Sequence, residues 1–477
     1  MTERSRTRKS ISKSRDVKYD VAVEEADEVA YKLFSTSTAS TGTASNAPAS
    51  ASGKSKTIDT KKPPSAVINA LKKVTEFHGS VGVPLEDEPF YHGYMERKEA
   101  EKCLTKIGEF LVRKSFIRNN EGYIISIRVG TDRVLHLHVQ EIVAQRLYWV
   151  RTFCFTSISD LVRYHMTLKA PVYENDIKLL SYLEREQWQL YHEQIVLGRL
   201  LGHGEFGEVF QGTFTIGLFS KPIEVAVKTL KEGSLSSDDR VTFLREANVM
   251  LKLQHKHIIR LYGVATQKEP IMIVMELAPG GSLLEKIRKT KLDLAHKRKY
   301  CYHAMCGMEY LESQQVIHRD VAARNCLISG SDVCKISDFG LSMLGQLHKE
   351  KQMIKVPVRF LAPETLTHAT YSSKSDVWSY GVLMFEVFSD GEIPYKEVKT
   401  LKDVRKKVIQ GLRLKPPPDM PEEDANIMMR CFETDPEART SFSLLKQDYK
   451  KYQPNVLGKL VDFFKDKAEA SATAVKS

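Results

Sequence analysis

Cysteine is scarce in this chain, and none is placed to hold a metal or staple a fold. The seven cysteines in 477 residues are odd in number and scattered, without the paired spacing of a zinc site. That suits reduced thiols in the cytosol rather than a disulfide framework. Long apolar runs are also missing, so no segment reads as membrane-spanning. The opening Met1-Thr2-Glu3-Arg4 lacks the apolar centre of a secretion signal, and Thr2 excludes myristoylation at a glycine. No internal repeat and no nucleic-acid-binding motif is present. The net charge of +11 therefore reads as a basic arm plus solvated patches such as Lys297-Arg298-Lys299, with no nucleic-acid partner expected.

Residues 1–87 are poor in structure-forming pattern. Residues 35–55 are dominated by Ser, Thr, Ala and Gly, too few large apolar groups to offset chain entropy. Two short amphipathic pieces, 21–34 and 66–77, interrupt the expected disorder. The cluster of Arg4, Arg6, Arg8, Lys9, Lys13 and Arg15 fits peripheral contact with anionic lipid, or simply a solvated tail.

Order is expected from 88 onward. Residues 88–173 alternate as strands at 109–113, 123–129, 134–139 and 147–150, between helices at 97–105 and 157–168. A polar, partly helical connector follows within 174–192. Residues 193–452 begin strand-rich and turn helical after Glu276. The tail, 453–477, carries one amphipathic run at 457–467.

Three groups of residues carry chemistry. Arg113 sits on an apolar strand, where a lone guanidinium is costly unless an anion neutralises it. Its planar fork matches two phosphate oxygens, whereas an internal salt bridge is the bland alternative. The second group is the glycine-rich Leu201-Gly202-His203-Gly204-Glu205-Phe206-Gly207-Glu208-Val209. It precedes Val225-Ala226-Val227-Lys228 on a strand, not a βα turn with a ribose-binding acid, which argues against a dinucleotide fold. Glycines there let backbone amides approach phosphates. The third group is His318-Arg319-Asp320-Val321-Ala322-Ala323-Arg324-Asn325, followed by Asp338-Phe339-Gly340. It has the spacing of a kinase catalytic loop and metal-binding turn.

Phe90-Tyr91-His92-Gly93, Arg97 and Gly108-Glu109-Phe110-Leu111-Val112-Arg113, with Gly122-Tyr123 and His136 after them, resemble a Src-homology-2 (SH2) domain. The resemblance implies binding of phosphotyrosine-containing proteins. Arg113 and Arg97 would be phosphate ligands, Ser115 a hydroxyl donor from the following turn, and His136 either a pocket support or a satisfied core histidine. Phe90 stands where tryptophan is common, and His138 stands where many relatives place lysine.

The later motifs resemble a protein-tyrosine kinase using ATP with Mg²⁺ or Mn²⁺. Gly202, Gly204 and Gly207 would cradle the phosphates. Leu201, Val209 and Ala226 would enclose the adenine, and the backbone of Glu276 and Ala278 would bond it, with Met275 as gatekeeper. Lys228, paired with Glu246, would reach the α- and β-phosphates. Asp320 would orient the substrate hydroxyl, Arg324 would steady the transferring phosphate, and Asn325 and Asp338 would ligate the metal. His318 and Phe339 read as packing residues, Glu364 as a partner of Arg439, and Asp376 as an anchor for the catalytic loop. Ala322-Ala323-Arg324 and Pro357 both favour tyrosine over serine or threonine as acceptor.

Trp188-Gln189-Leu190-Tyr191-His192-Glu193, Phe206-Gly207-Glu208-Val209-Phe210 and Val274-Met275-Glu276-Leu277 resemble the Fer/Fes family of non-receptor tyrosine kinases. The expected class is α+β: an SH2 domain, a central antiparallel sheet flanked by two helices, followed by a bilobal kinase domain. The first 85 residues leave no room for the family's F-BAR region, so membrane remodelling is not expected. No tyrosine lies between Gly340 and Ala362, Met343 replaces an arginine, and Arg319 has no evident phosphotyrosine partner. SH2 docking near Glu246, transmitted by Trp188, is therefore expected to set activity. The alternative reading is a phosphotyrosine-binding adaptor with a weak or silent kinase domain.

Overall fold

The computed structural model describes residues 83–452, apart from 118–119, 144–145, 152, 204–206, 218–219, 231–236 and 350–355. The basic arm, both N-terminal amphipathic pieces, the C-terminal run and Gly204 lie outside the described residues.

The first domain is built on β1 (Tyr91–Tyr94), α1 (Arg97–Cys103), β2 (Glu109–Ile117), β3 (Asn120–Gly130), β4 (Arg133–Ile142), β5 (Leu147–Trp149), β6 (Cys154–Phe155) and α2 (Ile158–Thr167). The strands follow one another in sheet order from β1 to β6. β2, β3 and β4 pair antiparallel, while β1 joins β2 in parallel. Alternation along β2 explains the layering. Phe110 and Val112 enter one core with Ile125, Leu161 and Val162 of α2. Leu111 enters a second core with Ala100 and Leu104, against α1. Each buried large side chain contributes about 1.5–3 kcal/mol. α2 starts where it does because the Ser157 hydroxyl accepts from the Asp160 N–H at 3.0 Å.

The connector differs from expectation. No helix occurs among 174–189; instead β7 (Ser181–Tyr182) pairs with β2. Leu179 is buried in the first domain's core, so that fold continues beyond 173. Further on, the Trp188 carbonyl accepts from Val264 N at 2.8 Å and Leu190 N donates to Val264 O at 2.8 Å. Both ends of the connector are used in extended pairing, which leaves its backbone no helical register.

The second domain opens with β8 (Ile195–His203), β9 (Gly207–Phe214), β10 (Ile223–Leu230), α3 (Ser237–Met250), β11 (Leu261–Ala265) and β12 (Met272–Glu276). Its five strands order as β11-β12-β10-β9-β8. Below lie α4 (Leu283–Lys289), α5 (Leu294–Ser313), β13 (Val316–Ile317), β14 (Cys326–Ile328), β15 (Cys334–Ile336), β16 (Met343–Leu344) and β17 (Leu347–Lys349). Then come α6 (Pro363–His368), β18 (Thr370–Ser372), α7 (Ser373–Phe388), α8 (Leu401–Ile409), α9 (Glu422–Arg430) and α10 (Phe442–Tyr452). α7 is the buried axis of this lobe; Val377, Trp378, Tyr380, Leu383 and Met384 are fully enclosed. Its buried polar residues Asp376, Ser379 and Glu386 each bond to backbone, which lets the whole helix sit inside the core. No helix among the described residues is long and apolar enough to cross a membrane.

The two domains touch through β1. Tyr94 N donates to Thr266 O at 3.1 Å, and the Thr266 hydroxyl donates to His92 O at 3.0 Å. The Tyr94 ring joins the small-lobe core of Phe243, Ala247, Val264 and Ile273, with Trp188 packed against it.

Candidate active site

The catalytic loop is fixed from below by one buried carboxylate. Asp376, near the start of α7, accepts from His318 N at 2.7 Å and Arg319 N at 2.9 Å. Burial pushes its carboxyl up to about 7. Glu386, one helical face further along α7, accepts from Ala323 N at 2.8 Å. The sequence reading missed Glu386, because nothing in the local motif marks a carboxylate on a distant helix.

Asp320 is the focus of this loop. One carboxylate oxygen accepts from Arg324, the other from Asn325 Nδ2 at 2.6 Å. Asn325 Nδ2 also reaches the Asp320 carbonyl at 2.8 Å. The asparagine's Oδ1 is thus the atom available to a hard cation. Burial raises the Asp320 pKa, opposed first by Arg324. The Arg324 guanidinium also lies 4.9 Å from the Phe360 ring centroid. Asp338 is exposed to the cleft at φ 61°. Phe339 packs edge-on to His318 at 5.1 Å in the large-lobe core.

Across the cleft, Lys228 Nζ donates to Glu246 Oε2 at 2.6 Å, and Glu246 is only 3 % exposed. Burial raises the Glu246 pKa, and Lys228 opposes that shift. In β10, Val225 and Val227 face the core while Ala226 and Lys228 point to the other side. Lys228 pairs with Val209 across β9, so Val209, Ala226 and Lys228 share a face. Gly202 stands opposite Val209, and Leu201 is exposed beside it. Gly207 packs so closely that an added Cβ would lie 1.7 Å from Thr229 O. Glu276 ends β12, its carboxylate held by Lys335 at 2.9 Å, and Ala278 begins the turn below. Met275 touches the cores of both lobes.

Arg319 is held by neighbouring protein groups. Its Nη1 donates to Leu341 O at 3.2 Å, and the guanidinium stacks 4.0 Å from the Tyr371 ring. β16 pairs with β13 and β17 with β18, so two backbone ladders pin the segment's first half. Glu364 and Arg439 form a bidentate pair at 2.7 and 3.0 Å.

In the first domain, Arg113 is 2 % exposed. It donates to Ser126 Oγ at 3.0 Å and Met95 O at 3.1 Å, and meets His136 Nδ1 at 3.5 Å. None of those partners is a carboxylate, and among the described residues no internal salt bridge holds it. Burial draws its pKa down to about 10, still a cation at neutral pH. Burial likewise pulls His136 down to about 4. Glu101 bridges Arg97 at 2.8 Å and His136 at 3.2 Å, a carboxylate standing where an arriving anion would compete. Ser115 corrects an expectation. It lies inside β2, not in a turn, because the hairpin ladder continues to Ile117 opposite Asn120. It remains on the Arg113 side of that strand.

The opposite side of β2 faces the kinase-like domain. Lys114 lies over the Tyr94 ring at 4.8 Å, and Phe116 stacks on it at 6.4 Å. Tyr94 donates to Glu121 at 2.6 Å, and Arg240 of α3 pairs with Glu121 at 2.8 Å and Glu269 at 2.6 Å. One strand therefore carries the buried Arg113 on one face and, on the other, the contacts to the helix that holds Glu246. Sequence inspection could not find this cluster, since its members come from four separate segments.

Residues 195–449 match the family model described as protein tyrosine and serine/threonine kinase, and residues 90–165 match that of the SH2 domain. Fer-related kinase 1 of Caenorhabditis elegans is 35 % identical over 391 residues, covering 81 % of this chain and 99 % of that protein. The chain belongs to the Fer/Fes family of tyrosine kinases. Spermatocyte protein spe-8 of the same nematode is 42 % identical over 376 residues, covering 78 % of this chain and 73 % of the relative. Human tyrosine-protein kinase Fer is 39 % identical over 371 residues, 76 % of this chain but only 44 % of that protein. The chain thus spans less than half the length of human Fer. It is a non-receptor tyrosine kinase by family, with an SH2 domain before the kinase domain, and that family uses ATP and a divalent metal.

Proposed function

We propose that this Fer/Fes kinase is catalytically competent and transfers the γ-phosphate of ATP to tyrosine in proteins that its SH2 domain helps to select. The observation that carries the reading is the assembled pair of sites: Asp320 held by Arg324 and Asn325, with Lys228 and Glu246 joined at 2.6 Å. A silent adaptor has no need of either.

Phosphoryl transfer depends mostly on alignment and charge neutralisation. Gly202, Gly204 and Gly207 bring backbone amides to the phosphates. Leu201, Val209 and Ala226 enclose the adenine, and the backbone of Glu276 and Ala278 bonds its edge. Lys228, aimed by Glu246, holds the α- and β-phosphates. Asn325 and Asp338 would hold Mg²⁺ or Mn²⁺ through their oxygens, the donor type such a hard cation takes. When bound, the metal neutralises charge on the transferring group. Asp320 orients the tyrosine hydroxyl and takes its proton. Arg324 steadies the nucleophile from a position that leaves room for a phenol.

In the SH2 domain, Arg113 and Arg97 bind the phosphate, with Ser115 and His136 completing the pocket. The phosphate releases Arg97 from Glu101. Docking of this domain on α3 holds Glu246 toward Lys228, and Trp188 and Tyr94 carry the contact. Loop phosphorylation is not the switch, since Arg319 is already seated on Leu341 and Tyr371. The protein acts in the cytoplasm, and its basic arm touches anionic membrane.

Phosphoamino-acid analysis of a labelled protein substrate tests the specificity. Phosphotyrosine alone supports it; phosphoserine or phosphothreonine as the main product contradicts it.

A further inference from the structure

The activation segment offers no tyrosine between Gly340 and Ala362. Elsewhere, the described tyrosines are buried or half-buried with one exception: Tyr191 is 42 % exposed. It stands in the connector between the two domains, past β7.

The backbone turns this side chain outward. Leu190 and His192 are buried, 2 % and 8 % exposed, and Tyr191 between them has extended geometry, φ −85° and ψ 144°. In extended backbone successive side chains alternate, so two inward neighbours leave the tyrosine pointing to solvent. Both neighbours are tied to the small lobe. Leu190 N donates to Val264 O at 2.8 Å, and His192 Nε2 donates to Pro270 O at 3.0 Å. A side chain anchored on both sides to the small lobe cannot travel to Asp320 in its own large lobe. A second copy of the chain must act on it.

A cation already covers the ring. The Arg185 guanidinium lies 4.0 Å from the Tyr191 ring centroid. Its Nη1 makes one long bond, to Glu86 O at 3.4 Å, and Nε and Nη2 have no hydrogen-bond partner among the described residues. So lightly held, the guanidinium can turn toward a group added to the same ring. A phosphate ester there brings about −1.5 to −2 charges and three acceptor oxygens, which an arginine fork matches. Glu193, two residues on, is already paired with Lys268. Glu184 and Glu186, beside Arg185, are exposed. Arg185 follows directly on the last ties of the first domain, where Leu183 N donates to Phe110 O at 2.8 Å and Leu183 O accepts from His92 Nε2 at 3.0 Å. A phosphate shared by residues 185 and 191 joins the exit of one domain to the entry of the other.

We propose that Tyr191 is an autophosphorylation site of this kinase, modified by a second copy of the chain, and that Arg185 receives the phosphate. The Tyr191 oxygen bonds to the γ-phosphorus of ATP. The bond from that phosphorus to the bridging β–γ oxygen breaks, and ADP leaves. The phenol proton passes to Asp320 of the acting copy and then to solvent. This rests on the tyrosine-kinase reading and gives it a substrate within the same protein.

The test mixes phosphatase-treated parent with an excess of isotope-labelled Asp320→Asn protein and Mg·ATP, with poly-Glu/Tyr in a parallel tube. Mass spectrometry of the labelled chain should find phosphate on Tyr191. Transfer to poly-Glu/Tyr, with the labelled chain unmodified or modified only at other tyrosines such as Tyr19 or Tyr31, would overturn the site and spare the kinase reading. Transfer to neither sinks both. Phosphorus NMR then reads the role of Arg185, through the signal that is missing from Tyr191→Phe. Its second pKa should lie about 0.3–0.7 lower in the parent than in Arg185→Gln, the effect of one exposed ion pair. Arg185→Lys, which keeps the charge, should retain most of that difference. Equal titration in parent and Arg185→Gln would remove Arg185 as the receiver.

Discussion

Gly93→Ala addresses the contact between the two domains directly. Gly93 has φ 66° and packs against the backbone of the kinase domain. A methyl built there lies 2.2 Å from Thr266 O, 2.4 Å from its carbonyl carbon and 2.7 Å from Gln267 N. These are main-chain atoms, which cannot swing aside as a side chain would. Left-handed strain costs about 1–2 kcal/mol whether or not the domains are docked. Relieving the clash adds about 1–3 kcal/mol to the docked state alone. The ratio of docked to undocked protein should then fall about fivefold to 150-fold. If docking on α3 holds Glu246 toward Lys228, kcat/KM for a soluble peptide falls by up to the same factor. Hydrogen exchange in α3 should quicken. Phosphopeptide affinity should hold, because Arg113 lies on the other side of β2. Unchanged kcat/KM together with unchanged α3 exchange would refute the coupling.

Three further outcomes follow from the geometry. Arg113→Lys keeps the charge but loses the fork, so phosphopeptide affinity measured by calorimetry should drop about tenfold or more. Glu364→Gln leaves Arg439, whose side chain is 0 % exposed, without its anion; urea unfolding should show a loss of about 3–5 kcal/mol, and an unchanged midpoint would contradict the pairing. His136 in the free protein should titrate near 4 by NMR, held down first by burial and then by Arg113. Its folded pKa lies below the unfolded value, so the stability it contributes is complete above about pH 6.5 and is lost as pH falls toward 4. A midpoint near 6.5 would show that the ring is not buried as described.

Much of the fold was legible because β-branched and aromatic residues cluster into strand-length runs in the first domain. β2, β3 and β4 each contain the β-branched and aromatic stretch expected there and run a few residues beyond it, and α1 and α2 lie within the expected helices. The pairs Lys228 with Glu246 and Glu364 with Arg439 were legible too, through the resemblance of their motifs and spacing to those of protein kinases. The connector was misread because polar composition does not reveal that Ser181–Tyr182 and 188–190 are taken up by neighbouring strands. Ser115 was misplaced because the length of a hairpin ladder depends on cross-strand register. The Tyr94, Glu121, Arg240 and Glu269 cluster was invisible, since it exists only when two domains dock. Tyr371 beneath Arg319 was equally hidden, because no local rule links a β18 aromatic to the catalytic loop.

The most direct measurement is phosphate transfer from Mg·ATP to poly-Glu/Tyr by phosphatase-treated protein, with Asp320→Asn as the comparison. The account predicts tyrosine phosphorylation by the treated parent and a loss of about 100-fold to 10,000-fold in the variant. No transfer by folded parent protein, with or without a phosphopeptide on the SH2 domain, would contradict it.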